Sequence, residues 1–183
     1  IKIDTNHPKV PSLLELVKER EFEGYAYDGA EASFELLARR MLEGVPEYYN
    51  LQSFRVLDER RWNARGELVT VSEATVEVDV GDQRQMAVAE GNGPVNALDN
   101  ALGKVLLETY PELSDMCLVD YKVRILTPGD GTGAITRVMI ESADGEDRRW
   151  SCVGLSTNII DASYNALQDA ISYKLFRDGA KAA

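Results

Sequence analysis

The feature that most restricts this chain is an internal repeat: twice, three stretches of strand-like periodicity are followed by one helix-like stretch. In the first round Phe54 and Val56 mark one strand. Val76, Val78 and Val80 alternate with Glu77 and Asp79 in a second, and Met86 and Val88 mark a third. Arg60 to Leu68, with Asn63 and Gly66, forms the hairpin tip between the first two. Gly93-Pro94 then opens a helix, with proline in the first turn where its missing N–H costs nothing. Val95, Leu98, Leu102 and Val105 keep helical spacing until Tyr110-Pro111. In the second round Val119, Tyr121, Val123 and Ile125 alternate with Asp120, Lys122 and Arg124, and Pro128 to Gly133 is a Gly-rich turn. Val138 and Ile140 lie on a second strand, Trp150, Cys152 and Gly154 on a third, and a helix runs from near Asn158 to Gly179. The helices align without a gap. Ala97, Asn100, Ala101 and Leu102 correspond to Ala162, Asn165, Ala166 and Leu167, each 65 residues further on, and Val88 falls on Val153 at the same distance. One helix face buried on one sheet face is a two-layer unit. The repeat therefore predicts an α+β fold: a two-layer domain of two βββα repeats with pseudo-twofold symmetry, over residues 51–183.

Residues 1–50 read differently, as a linker and a small helical hairpin. Residues 1–11 are polar, with Pro8 and Pro11. Ser12 and Glu15 have capping-box spacing for a helix from Leu13 to Glu23 that stops at Gly24, and Asp28 and Glu31 repeat the pattern before a helix ending near Gly44 and Pro46. Two short helices bury too little to be stable alone. The chain starts at Ile1 and reads as a piece of a longer cytosolic protein.

Lys plus Arg number 20 and Asp plus Glu 31, so the net charge is −11 and the overall field disfavours nucleic acid and anionic membranes. No apolar run approaches the roughly 20 residues of a membrane span. Two cysteines, Cys117 and Cys152, and one histidine, His7, argue against a disulfide framework, a four-cysteine zinc site and a histidine-based triad. His7 belongs to the polar tail, the cysteines to sheets as free thiols, and Trp62 and Trp150 to packing. Asp28, Glu31 and Glu35 are accounted for by capping and the helix dipole. No catalytic constellation emerges, which favours a binding or regulatory module.

The most distinctive loop is Ala89-Glu90-Gly91-Asn92-Gly93-Pro94, from strand to helix, with Leu155-Ser156-Thr157-Asn158 at the matching point of the second repeat. Two readings stand side by side: backbone N–H groups at two helix starts that face a carboxylate or phosphate, or tight turns with an Asn cap. No Gly-Lys-Ser/Thr follows, so this is not a nucleotide P-loop.

Glu73-Ala74-Thr75-Val76, the run from Ala89 to Leu98, Asp120 to Ile125, and the run from Val153 to Ser163 together resemble the C-terminal regulatory domain of the alpha-isopropylmalate synthase family. Glu23-Gly24-Tyr25 with Ala30 to Phe34 is similar to the linker helices of its citramalate synthase branch. The resemblance implies a homodimeric module that binds an end-product amino acid, isoleucine ahead of leucine, and inhibits a distant catalytic barrel. That barrel condenses acetyl-CoA with a 2-oxo acid, carries a divalent metal and lies outside this chain, so the chain itself is expected to hold no cofactor and no synthase activity. Carried over residue by residue, the effector site comprises Gly91, Asn92, Gly93, Pro94, Asn96, Tyr121, Leu155, Ser156 and Asn158, with Val123, Ile125 and Ala134 lining its apolar part. Backbone carbonyls or Asp120 would accept from the effector ammonium. The other reading is a purely structural dimerisation domain.

Overall fold

The structure is a computed structural model, and it describes residues 7–183. The linker reading of residues 1–6 lies outside them. The elements run in the order α1 (Val10–Glu23), α2 (Glu31–Leu42), β1 (Asn50–Trp62), β2 (Leu68–Val80), β3 (Gln83–Gly91), α3 (Pro94–Leu106), β4 (Cys117–Ile125), β5 (Thr136–Ala143), β6 (Arg149–Ser156) and α4 (Ile159–Arg177). They form two antiparallel sheets of order β1-β2-β3 and β4-β5-β6, each followed by a helix. The α+β class and the repeated βββα order are therefore as expected.

The first-repeat unit spans Glu47–Ser114 with Gly179–Ala183. Its alternation does what period 2 requires: Ala74, Val76, Val78 and Val80 of β2 are buried, and α3 packs over β2 and β3 with Ala97, Leu98, Ala101, Leu102, Val105 and Leu106. β1 and β2 extend to Trp62 and resume at Leu68, so the turn is shorter than expected. Asn63 closes it, its Oδ1 accepting from the N–H groups of Arg65 at 2.8 Å and Glu67 at 3.0 Å. Trp62 is a correction: it is exposed at the strand end and packs into no core.

The second-repeat unit spans residues 7–46 with Asp115–Asp178. α4 packs over β5 and β6, burying Val138, Ile140 and Trp150. Trp150 Nε1 donates to the Ala170 carbonyl at 3.1 Å, and the Arg177 guanidinium lies 4.5 Å from its ring. The helical hairpin packs here as well: α2 lies against α4 and β6, and the buried Ser33 Oγ accepts from the Val153 N–H at 3.1 Å. The packing thus groups residues 7–46 with the second repeat, whereas the sequence predicts a division at residue 50. Local capping also differs. α1 starts at Val10 with Pro11 in its first turn, so Ser12 lies inside the helix, and Asp28 does not cap α2, whose N-cap is Ala30. Gly24 ends α1 as expected, at φ 119°, its N–H donating to the carbonyls of Arg20 and Glu21.

Both first strands carry a register shift near their start, between Leu51 and Ser53 in β1 and between Leu118 and Asp120 in β4. The repeat reaches down to single bonds. Asn100 Nδ2 donates to the Glu90 carbonyl at 2.9 Å, and Asn165 Nδ2, 65 residues on, donates to the Leu155 carbonyl at 3.4 Å. In each repeat the asparagine ties the helix to the strand that leads into it.

Candidate functional site

In the first-repeat unit the loop from β3 to α3 is built by two glycines with different duties. A Cβ on Gly91 would lie 2.3 Å from the Ala97 nitrogen, so helix–strand packing requires glycine there. Gly93 is extended, at φ −176°, and a Cβ on it would meet nothing within 4 Å. Neither turn nor packing explains Gly93. It is the N-cap of α3, offers no side-chain cap, and is followed by Pro94, which has no N–H. Asn96 folds back, its Oδ1 accepting from the Asn92 N–H at 3.0 Å.

The equivalent helix start in the second-repeat unit is closed. Asn158 Oδ1 accepts from the N–H groups of Ile160 at 2.8 Å and Asp161 at 3.4 Å, and Ser156 Oγ accepts from the Asn158 N–H at 3.0 Å. The tight-turn reading accounts fully for Asn158. Tyr121 stands beside this helix start, its hydroxyl 2.8 Å from Ser163 Oγ. Ser163 has one proton and donates it to the Ile159 carbonyl at 2.7 Å, so Tyr121 is the donor to Ser163.

Val123 and Ile125 are 43% and 56% exposed, and Ala134 is buried. Val123 pairs with Val138 and Val138 with Gly154, so Val123 shares the face that α4 covers. Leu155 pairs with Arg137 and points to the other face, toward the chain at Gly24 and Leu126. Leu155 is therefore not brought together with Val123 and Ile125.

Asp120 is also spoken for. Its carboxylate lies 2.5 Å from Lys122 Nζ, and that hydrogen-bonded ammonium holds its pKa below the usual carboxylate range. Sequence reasoning missed Asp99, in the second turn of α3. Asp99 is half-buried, makes no hydrogen bond or ion pair among the described residues, and burial pushes its carboxyl up. The repeat held the signal: Asp99 stands 65 residues before the buried Tyr164.

The remaining candidates have structural work. His7 Nδ1 accepts from the Lys9 N–H at 3.2 Å. Glu35 is bound by Arg39 at 2.7 Å and by the Tyr173 hydroxyl at 3.2 Å. Cys117 is exposed and Cys152 buried, both as free thiols. Among the described residues no group of three His, Cys, Asp or Glu is arranged to hold a metal ion, and no helix is long and apolar enough to cross a membrane.

Comparison with known proteins adds a family. Residues 28–175 match the model of the LeuA allosteric (dimerisation) domain. The chain is 50% identical over 177 residues to an (R)-citramalate synthase of Geobacter sulfurreducens, covering 97% of this chain and 33% of that protein. It is 46% identical over 178 residues to the (R)-citramalate synthase of Aquifex aeolicus, with the same coverage of 97% and 33%. Similarity to a 2-isopropylmalate synthase of Pectobacterium atrosepticum is lower, 30% over 156 residues, covering 85% of this chain and 26% of that protein. The chain thus spans about a third of the length of the citramalate synthases it matches.

Proposed function

This chain belongs to the LeuA allosteric (dimerisation) domain family, and from that premise we propose that it is the effector-sensing, self-associating part of a citramalate synthase-like acyltransferase of the cytoplasm. The observation that carries the choice of branch is the gradient of identity: 50% to a citramalate synthase against 30% to a 2-isopropylmalate synthase. The catalytic part, outside this chain, would join acetyl-CoA to a 2-oxo acid, pyruvate in this branch, with a divalent metal. The chain's own role is to form a homodimer and to bind a branched-chain amino acid, isoleucine in preference to leucine, as feedback inhibitor.

Each unit offers its own contacts. In the first-repeat unit the uncapped start of α3 at Gly93 supplies N–H groups for the effector carboxylate, with Asn92 and Asn96 shaping the loop. Asp99, which has no partner among the described residues, is a better acceptor for the ammonium than Asp120, which Lys122 already occupies. In the second-repeat unit the exposed side chains of Val123 and Ile125 supply apolar surface beside Tyr121. Inhibition requires the effector to prefer the inactive arrangement, and a coupling of about 1–3 kcal/mol is typical.

A purely structural dimerisation domain is the second reading, favoured by the complete structural account of Gly91 and Asn158. Calorimetric titration with isoleucine and leucine separates the two. Saturable heat, stronger with isoleucine, supports the sensing role; no heat with either at millimolar concentration leaves dimerisation alone. Light scattering that reports a monomer at high micromolar concentration would contradict both readings.

A further inference from the structure

The second-repeat unit also holds a cavity of about 350 Å³, bounded by the turn joining α1 to α2 and by the middle of α4. Its walls carry charge of both signs. Asp169 of α4 accepts from Ser33 Oγ at 2.8 Å and from Arg40 Nη1 at 2.9 Å, and its side chain is only 19% exposed. Arg20 enters from α1, its guanidinium 5.2 Å from the Tyr25 ring and 3.4 Å from the Tyr25 hydroxyl. Its ion pair with Glu23 is loose, at 3.7 Å, with both side chains half-exposed. The aliphatic part of the lining is Leu37 and Val153.

We infer that this cavity binds a free α-amino acid of small or polar side chain, its carboxylate on Arg20 and Arg40 and its ammonium on Asp169. An anion alone would sit against Asp169, and a cation alone against two guanidinium groups; a zwitterion satisfies both. Burial raises the Asp169 carboxyl even though Arg40 and Ser33 both bind it, so those two donors do not replace its lost hydration, and a third, cationic donor would. The polar lining gives little to a branched aliphatic side chain, which sets this ligand apart from isoleucine and leucine. The occupant would join the α1–α2 hairpin to α4, adding to the contact already made by α2.

The test is amide chemical-shift titration of the 15N-labelled 183-residue chain with serine, sodium acetate and methylammonium chloride. Serine is expected to shift the Tyr27, Ser33 and Asn165 signals saturably, while acetate and methylammonium, each with half of the charge, need about tenfold more. Arg20→Gln, at an exposed side chain that does not touch Asp169, should weaken serine about tenfold while the Gly91–Asn96 signals stay in place. Acetate matching serine would overturn the assignment in favour of a simple anion site. Serine shifting nothing at the cavity up to about 50 mM would overturn it outright. If isoleucine still shifts the Gly91–Asn96 signals in that experiment, the sensing function survives; serine at the cavity without any isoleucine response supports the cavity and sinks the loop.

Discussion

Val88 and Val153 stand 65 residues apart at matched positions of the third strands, yet Val88 is 43% exposed and Val153 only 2%. In the first repeat the Val88 carbonyl accepts from Lys104 Nζ at 3.1 Å, an exposed hydrogen bond from a long charged side chain at the outer edge of the strand. The residue matched to Lys104 is Asp169. There the Val153 N–H donates to Ser33 of α2, whose hydroxyl in turn donates a hydrogen bond to Asp169. One repeat guards its outer strand with a surface lysine and the other with a helix from before the repeats. The hairpin is therefore not a free linker: it supplies part of the second unit's core.

The two repeats should respond most differently to substitution at Gly154, matched to Ala89. A Cβ on Gly154 would lie 1.9 Å from the Ala162 carbonyl oxygen and 2.8 Å from the Ala166 nitrogen, so α4 rides closer to its sheet than α3 does at this point. Gly154→Ala should cost about 3 kcal/mol or more in urea unfolding, whereas Ala89→Gly should cost about 1 kcal/mol or less.

Acid separates the repeats next. Asp144 of the second unit, matched to Asp79 of the first, has a fully buried side chain that binds Arg148 at 2.7 Å and Arg177 at 2.6 Å. Burial would raise it, but the Arg148 and Glu146 N–H groups and the Arg148 side chain prevail and hold it at about 2. Asp79 is lowered too, by its hydrogen-bonded surface partner Arg84. A depressed carboxyl contributes stability that is present above its ordinary value near 3.8 and lost as pH falls toward 2, because the unfolded chain takes up the proton first. Unfolding followed between pH 5 and 2 should show this loss in the second unit, and Asp144→Asn should remove that part of the slope.

Ser33→Ala comes third. It orphans the buried Val153 N–H and takes one donor from Asp169, for an expected loss of about 2 kcal/mol by thermal unfolding. Lys104→Met, its counterpart in the first repeat, should cost under about 1 kcal/mol. Smallest are the helix starts. Asn158→Ala should cost about 1 kcal/mol, the worth of a cap, and Gly93→Ala a few tenths, about the scatter of the measurement. Gly93→Val should nonetheless weaken isoleucine, since it crowds the open N–H groups without straining the turn.

Periodicity and the 65-residue offset made both sheets, both long helices and their order legible, because burial on one face imposes a pattern on neighbouring residues. Contacts between distant segments leave no such pattern. Nothing around Ser33 announces that its hydroxyl meets Val153 across 120 residues, so the hairpin read as a linker. The loops were legible as unusual but not as different from each other: that Gly91 is demanded by packing and Gly93 by nothing visible is a matter of where Ala97 lies. Leu155 shows the limit of alternation, since facing follows from its register with Arg137 and not from its apolar character. Asp99 is not legible because a carboxylate inside a helix reads as solvated until its burial is known.

In the proposed function the chain responds to a branched-chain amino acid through the open helix start rather than the capped one. Amide hydrogen exchange with and without isoleucine tests it directly. The predicted result is saturable slowing at Val95 and Asn96, whose N–H groups lie at the uncapped start of α3, with little change at Ile160 and Asp161, whose N–H groups Asn158 already holds. Unchanged exchange at Val95 and Asn96 through millimolar isoleucine would contradict it.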